Sequence, residues 1–150
     1  MPLNPFDPRT VLFAKHAQHV VLIHFPIALF LCGVGFDAAA RWTKRRGLAD
    51  AAYYNFFIAA IFTIPVIITG ILAWQFALEG QKLKGILLQH MLLGLTSTAF
   101  IWITWWIHFR ARRNGRELPA SRFSLELLGV LAITLTGHLG GFLSGVNGPG

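Results

Sequence analysis

The stretch His19-Val20-Val21-Leu22-Ile23-His24-Phe25-Pro26 opens an apolar run that continues to Arg41. It sets imidazoles inside a segment long enough to cross a bilayer, and the rest of the chain follows from that reading. A spanning helix needs about 20 mostly apolar residues. Four windows meet the requirement: 19–41, 53–76, 87–109 and 124–145. With 55% hydrophobic and 13% charged residues and a mean hydropathy of +0.58, the composition lies outside the range of soluble domains. Residues 1–150 therefore read as one all-α transmembrane domain. Its connections are short, so consecutive helices become antiparallel neighbours in an up-down-up-down four-helix bundle.

The net charge of +7 would suggest nucleic acid in a soluble protein, but its distribution speaks for membrane topology and against a nucleic-acid partner. Arg41, Lys44, Arg45 and Arg46 follow the first window, and Arg110, Arg112, Arg113, Arg116 and Arg122 follow the third. Positively charged connections stay on the cytoplasmic side, so both termini are expected on the outer side. The tail Met1–Thr10 holds three prolines and no signal-peptide core, so the first segment is expected to act as an uncleaved anchor. Trp42, Trp105 and Trp106 are expected at the inner interface and Trp74 at the outer one. Pro26 and Pro65 should kink their helices, and the lone Cys32 should be a small buried apolar residue. Four helices without an inverted repeat or a charged midplane give little support to a transporter.

Asp37 and Glu126 each lie four residues from an arginine, Arg41 and Arg122, a spacing that predicts ion pairs within one helix at the inner interface, with a proton-handling or quinone-facing role as the alternative. Gly137 and Gly141 form a small-xxx-small pattern expected to let helices approach closely. Depth follows from the helical rise of about 1.5 Å per residue. His24, 17 residues before Arg41, and His138, 16 residues after Arg122, come out level at roughly 25 Å from the inner boundary. His90 and His19 lie slightly higher, at roughly 30 and 33 Å. His16 is expected at the outer interface and His108 at the inner one.

An imidazole in hydrocarbon must find a polar partner or a metal, so several at one depth suggest chemistry. Axial ligation of haem needs two histidines on different helices at matched depth. His24 and His138 are the first pair to consider, with His90 as substitute and His19 serving a different partner. A direct metal site of His24, His90 and His138 binding zinc, copper or iron is a second reading. A third is polar packing between helices in a cofactor-free assembly subunit of a larger membrane complex.

The motifs His19-Val-Val-Leu-Ile-His24-Phe25-Pro26-Ile27-Ala28-Leu29, Thr69-Gly70-Ile71-Leu72-Ala73-Trp74, His90 and Gly137-His138-Leu139-Gly140-Gly141 resemble, in that order, the bacterial membrane family called domain of unknown function 2231. The resemblance covers about residues 19–146. It implies a four-helix domain of the bacterial inner membrane in a redox setting, since relatives are joined to Rieske iron–sulfur or cytochrome c modules. His24, His90 and His138 are the histidine positions it carries over. Where some relatives have a further histidine, this chain reads Phe142-Leu143-Ser144-Gly145, so no second cofactor is implied. The expectation is a b-type cytochrome or haem-bearing subunit, an electron carrier rather than a stand-alone enzyme. Its expected partners are lipid, a periplasmic cytochrome c or Rieske-type protein, a quinone, and other subunits of an oligomer or complex.

Overall fold

The structure, a computed structural model, describes residues 17–145. The tail Met1–Thr10 and His16, with the expectations attached to them, lie outside that range. Helices α1 (Ala17–Leu22) and α2 (His24–Thr43) form the first span, and α3 (Arg46–Leu72), continued by a π turn at Ala73–Ala77, forms the second. Helix α4 (Gly85–Asn114) is the third span and α5 (Arg122–Leu143) the fourth. All four are long and apolar enough to cross a membrane, and no strand occurs among the described residues.

Local chemistry explains the boundaries. Pro26 has no N–H to give the carbonyl of Leu22, and the helix breaks one turn earlier, at Ile23. Pro65 lies inside α3, which runs unbroken to Leu72, and the irregular turn of that span is the π segment at Ala73–Ala77. Helix α2 closes on Lys44, whose N–H is donated to the Ala40 carbonyl, and α4 closes on Gly115 at φ 59°, the left-handed conformation glycine adopts without strain. Many large apolar side chains, among them Ile61, Ile68, Leu92, Leu128 and Leu131, are exposed on the outer faces. In an aqueous protein that would be costly; facing lipid it costs nothing.

The spans pair into two hairpins, first with second and third with fourth, while the first and third spans take diagonal corners. These hairpins repeat one another. Shifting the first span by 71 residues carries Pro26, Phe30, Gly33 and Asp37 onto Ser97, Ile101, Thr104 and His108, and all eight are buried. Shifting the second span by 70 carries the buried Ala52, Phe56, Ala59 and Thr63 onto the buried Arg122, Glu126, Gly129 and Ile133. Both first helices run in the same direction, so this is a parallel repeat.

The bundle is tied together at the end carrying the arginine-rich connections, called here the basic end. Phe30 enters the notch at Gly129, where an added Cβ would stand 2.8 Å from its ring, and Phe56 fills the matching notch at Gly33. Trp102 donates to Thr63 across the hairpins at 3.0 Å, Trp105 packs on Phe57, and Arg112 meets Asp50. Trp102→Phe should cost about 0.6–1 kcal/mol, the value of an interhelical hydrogen bond in a bilayer, read from unfolding in detergent. Beyond the Thr63–Trp102 level, the hydrogen bonds His19–Val66, His90–Thr136 and Ser97–Thr136 each lie within one hairpin. Past Pro26 and Ser97, only Ala73 is buried among the described residues.

Two small-residue expectations are corrected. Gly137 has open space around it, and the close approach occurs instead at Gly129 and at Gly140, under the His90 ring. Cys32 is exposed, because it sits off the buried Pro26–Phe30–Gly33–Asp37 stripe.

Candidate functional site

The end opposite the arginines carries His19, His24, His90 and His138. His19 and His90 occupy equivalent positions of the repeat, seven residues before Pro26 and Ser97 on the same helical stripe. His19 Nδ1 lies 3.1 Å from the Val66 carbonyl and 3.3 Å from Thr69 Oγ1. His90 Nδ1 lies 3.0 Å from the Thr136 carbonyl. Val66 and Thr136 are themselves equivalent, 70 residues apart. So are Gly70 and Gly140, where an added Cβ would come within 3.0 and 3.2 Å of the two imidazole Cε1 atoms. Glycine at these points lets each ring lie against the backbone of the neighbouring helix.

A carbonyl oxygen can only accept, so Nδ1 carries the proton in both rings. In a neutral imidazole that tautomer puts the lone pair on Nε2. His24 is locked in the same sense by the Val20 carbonyl of its own span at 2.7 Å. It points elsewhere, however. His24 lies nine residues before Gly33 and His138 nine residues after Gly129, about 180° around the helix in each case. Both are exposed on faces opposite the buried stripes; His138 packs edge-on against Phe142. His19 and His90 thus share a depth and a position in the repeat, whereas His24 and His138 lie on outward faces. The ligand atoms of His24, His90 and His138 do not gather into a group that could hold a metal.

The group that does gather is at the basic end. Asp37, His108 and Glu126, from three spans, bring ligand atoms within 4.8 Å of one another, and all three are buried. The expected ion pairs within helices are replaced by pairs across them. Arg122 grips Asp37 of the first span through Nε and Nη2 at 2.9 and 3.3 Å, while Arg41 lies over the Phe123 ring. Glu126 meets His108 of the third span at 3.2 Å, and His108 is 4% exposed, packed inside the bundle at its basic end. The i,i+4 spacing was misleading because Arg122 and Glu126 both sit on the buried stripe of α5, where the counter-charges come from neighbouring helices. One sequence signal for the repeat was available: Gln18-His19-Val-Val-Leu22 recurs as Gln89-His90-Met-Leu-Leu93.

No curated protein and no solved structure matches the chain. The family described as "Predicted membrane protein (DUF2231)" matches residues 15–148, nearly the whole length, and its description agrees with four membrane-length helices. The chain belongs to this family of membrane proteins.

Proposed function

We propose that the protein is a small b-type electron-transfer subunit of the bacterial inner membrane, in which His19 and His90 would hold one haem between the histidine ends of the hairpins. The observation that supports this reading is the equivalence of the two imidazoles. They share one depth on diagonal spans, and each is oriented by a backbone carbonyl of its own hairpin. Histidines that ligate metals are oriented in this way, with the second ring nitrogen donated to a carbonyl or carboxylate. The residues fit the group in a second respect: the hairpins share their core at the basic end and not at this one, and sites between bundle helices are where cofactors are held.

A haem bound there supplies one-electron transfer. The chain's own part is to fix the imidazole tautomers through Val66 and Thr136 and to keep the rings against Gly70 and Gly140. The surrounding apolar helices keep water away. With the arginine-rich connections in the cytoplasm, both termini and the histidine end face the periplasm, where a cytochrome c or Rieske-type partner would exchange electrons. His24 and His138, on outward faces, are left for lipid, a quinone or a neighbouring subunit.

The test is a reduced-minus-oxidised visible spectrum of the purified protein. His19→Ala and His90→Ala should each abolish the low-spin bis-histidine signal, while His24→Ala and His138→Ala retain it. A colourless, folded preparation from haem-replete cells sinks the proposal and returns the chain to the scaffold reading. Loss confined to the His24 and His138 variants would move the haem to the outward pair.

A further inference from the structure

At five equivalent positions the interior of the second hairpin is polar where that of the first is not, while the reverse holds at Thr63 and Ile133. At the equivalent positions where the first hairpin has Ala52, Phe56, Gly33, Pro26 and Val66, the second has Arg122, Glu126, Thr104, Ser97 and Thr136. Burying polar side chains in a bundle that could pack as its own repeat does calls for a use. The densest part is the Asp37–Arg122 and His108–Glu126 pairs, where Glu126 is fully buried and Asp37 is 1% exposed.

Two atoms there lack protein partners among the described residues: Glu126 Oε2 and, one turn along α4 from His108, Thr104 Oγ1. Orphaned buried oxygens mark a place for water or a bound ion. Charge decides which. Asp37 and Arg122 cancel, and a single proton shared by His108 and Glu126 leaves that pair neutral, whichever atom holds it. A divalent cation on Asp37, His108 and Glu126 would add two positive charges to two carboxylates and one guanidinium, leaving one uncompensated charge in a low-dielectric interior at a cost of several kcal/mol. Both Asp37 oxygens are, moreover, already engaged by Arg122.

We propose that the His108–Glu126 pair is a proton-binding site, holding one exchangeable proton drawn from water at the basic end of the bundle. The groups facing it are Asp37 from the first span, the uncharged Phe56 ring from the second and Arg122 from the fourth, which is bonded to Asp37; Thr104 is buried on the same stripe of α4 one turn from His108. Glu126 lies one turn, about 6 Å, inside the start of α5. Further in, Ile101 and Ile133 are buried between it and the Ser97–Thr136 hydrogen bond. None of this rests on the haem reading.

Infrared spectroscopy of the full chain in lipid nanodiscs, titrated with pH in H2O and D2O, tests it. The expected result is a carboxylic-acid C=O band, or the matching imidazolium signal, that titrates, shifts in D2O, disappears in Glu126→Gln and moves in Thr104→Val. Should Glu126→Gln fail to fold, the Thr104→Val shift in the folded protein carries the test. A pair that does not titrate while the protein stays folded overturns the proposal, as does a titrating band insensitive to both variants. A transition metal that copurifies at one per chain and is lost in Glu126→Gln overturns it in favour of a metal site.

Discussion

Arg122→Met should lower the stability of the protein by about 3–5 kcal/mol, the cost of leaving one member of a buried ion pair without its partner. Asp37 is 1% exposed, and both its oxygens are held by the Arg122 guanidinium, which also reaches the Pro119 carbonyl. Removing the arginine leaves a carboxylate with neither water nor counter-charge and places it near Glu126, another acid. The first and fourth spans share few other contacts, so the loss should appear as separation of the hairpins at the basic end. Unfolding in detergent with increasing SDS measures it. The double variant Asp37→Leu with Arg122→Met should recover most of the loss, because replacing both partners by apolar groups removes the desolvation cost along with the attraction. A single-variant loss below about 1 kcal/mol would match an exposed pair and contradict the burial.

Gly129→Leu should be strongly damaging although it involves no charge. A Cβ alone would stand 2.8 Å from Phe30 Cζ and 3.3 Å from Phe100 Cβ. Neither neighbour can give way easily, since Phe30 is fully buried and is the residue through which the first hairpin enters the second. Overpacking of a closed core costs about 1–3 kcal/mol, and a leucine adds three further carbons to the clash. Gly137→Leu is the control. The same substitution two turns along the same helix, with nothing within 4 Å of its Cβ, should leave the unfolding midpoint unchanged. Phe30→Ala in the Gly129→Leu background should restore part of the loss by emptying the space the leucine needs.

These two sites also show what could be read from the chain and what could not. The span boundaries were legible, because hydropathy acts residue by residue and the arginine clusters end the apolar runs at Arg41 and Arg110. The layer of histidines was legible too, since depth is a count along one helix. Facing was not. Arg122 looked like an interfacial partner of Glu126, four residues on, and nothing local said that Asp37, 85 residues away, would take it. His24 looked level with His138, yet both lie on outward faces, and the inward pair was the higher-lying His19 and His90.

The sequence by itself determined four membrane-length helices, their antiparallel order, the clustering of basic residues in two connections and the gathering of imidazoles toward the opposite end. All of these depend on properties summed along a single helix. Tertiary structure decided which imidazoles face inward and which charges meet. That choice follows from rotation of each helix about its axis, set where Phe30 enters the notch at Gly129 and Phe56 the notch at Gly33. Once those two rings are seated, His19, Asp37 and Glu126 turn toward the interior on the stripes they define, and His90 and His108 follow on the buried stripe of α4, where the Phe56 ring packs on His108.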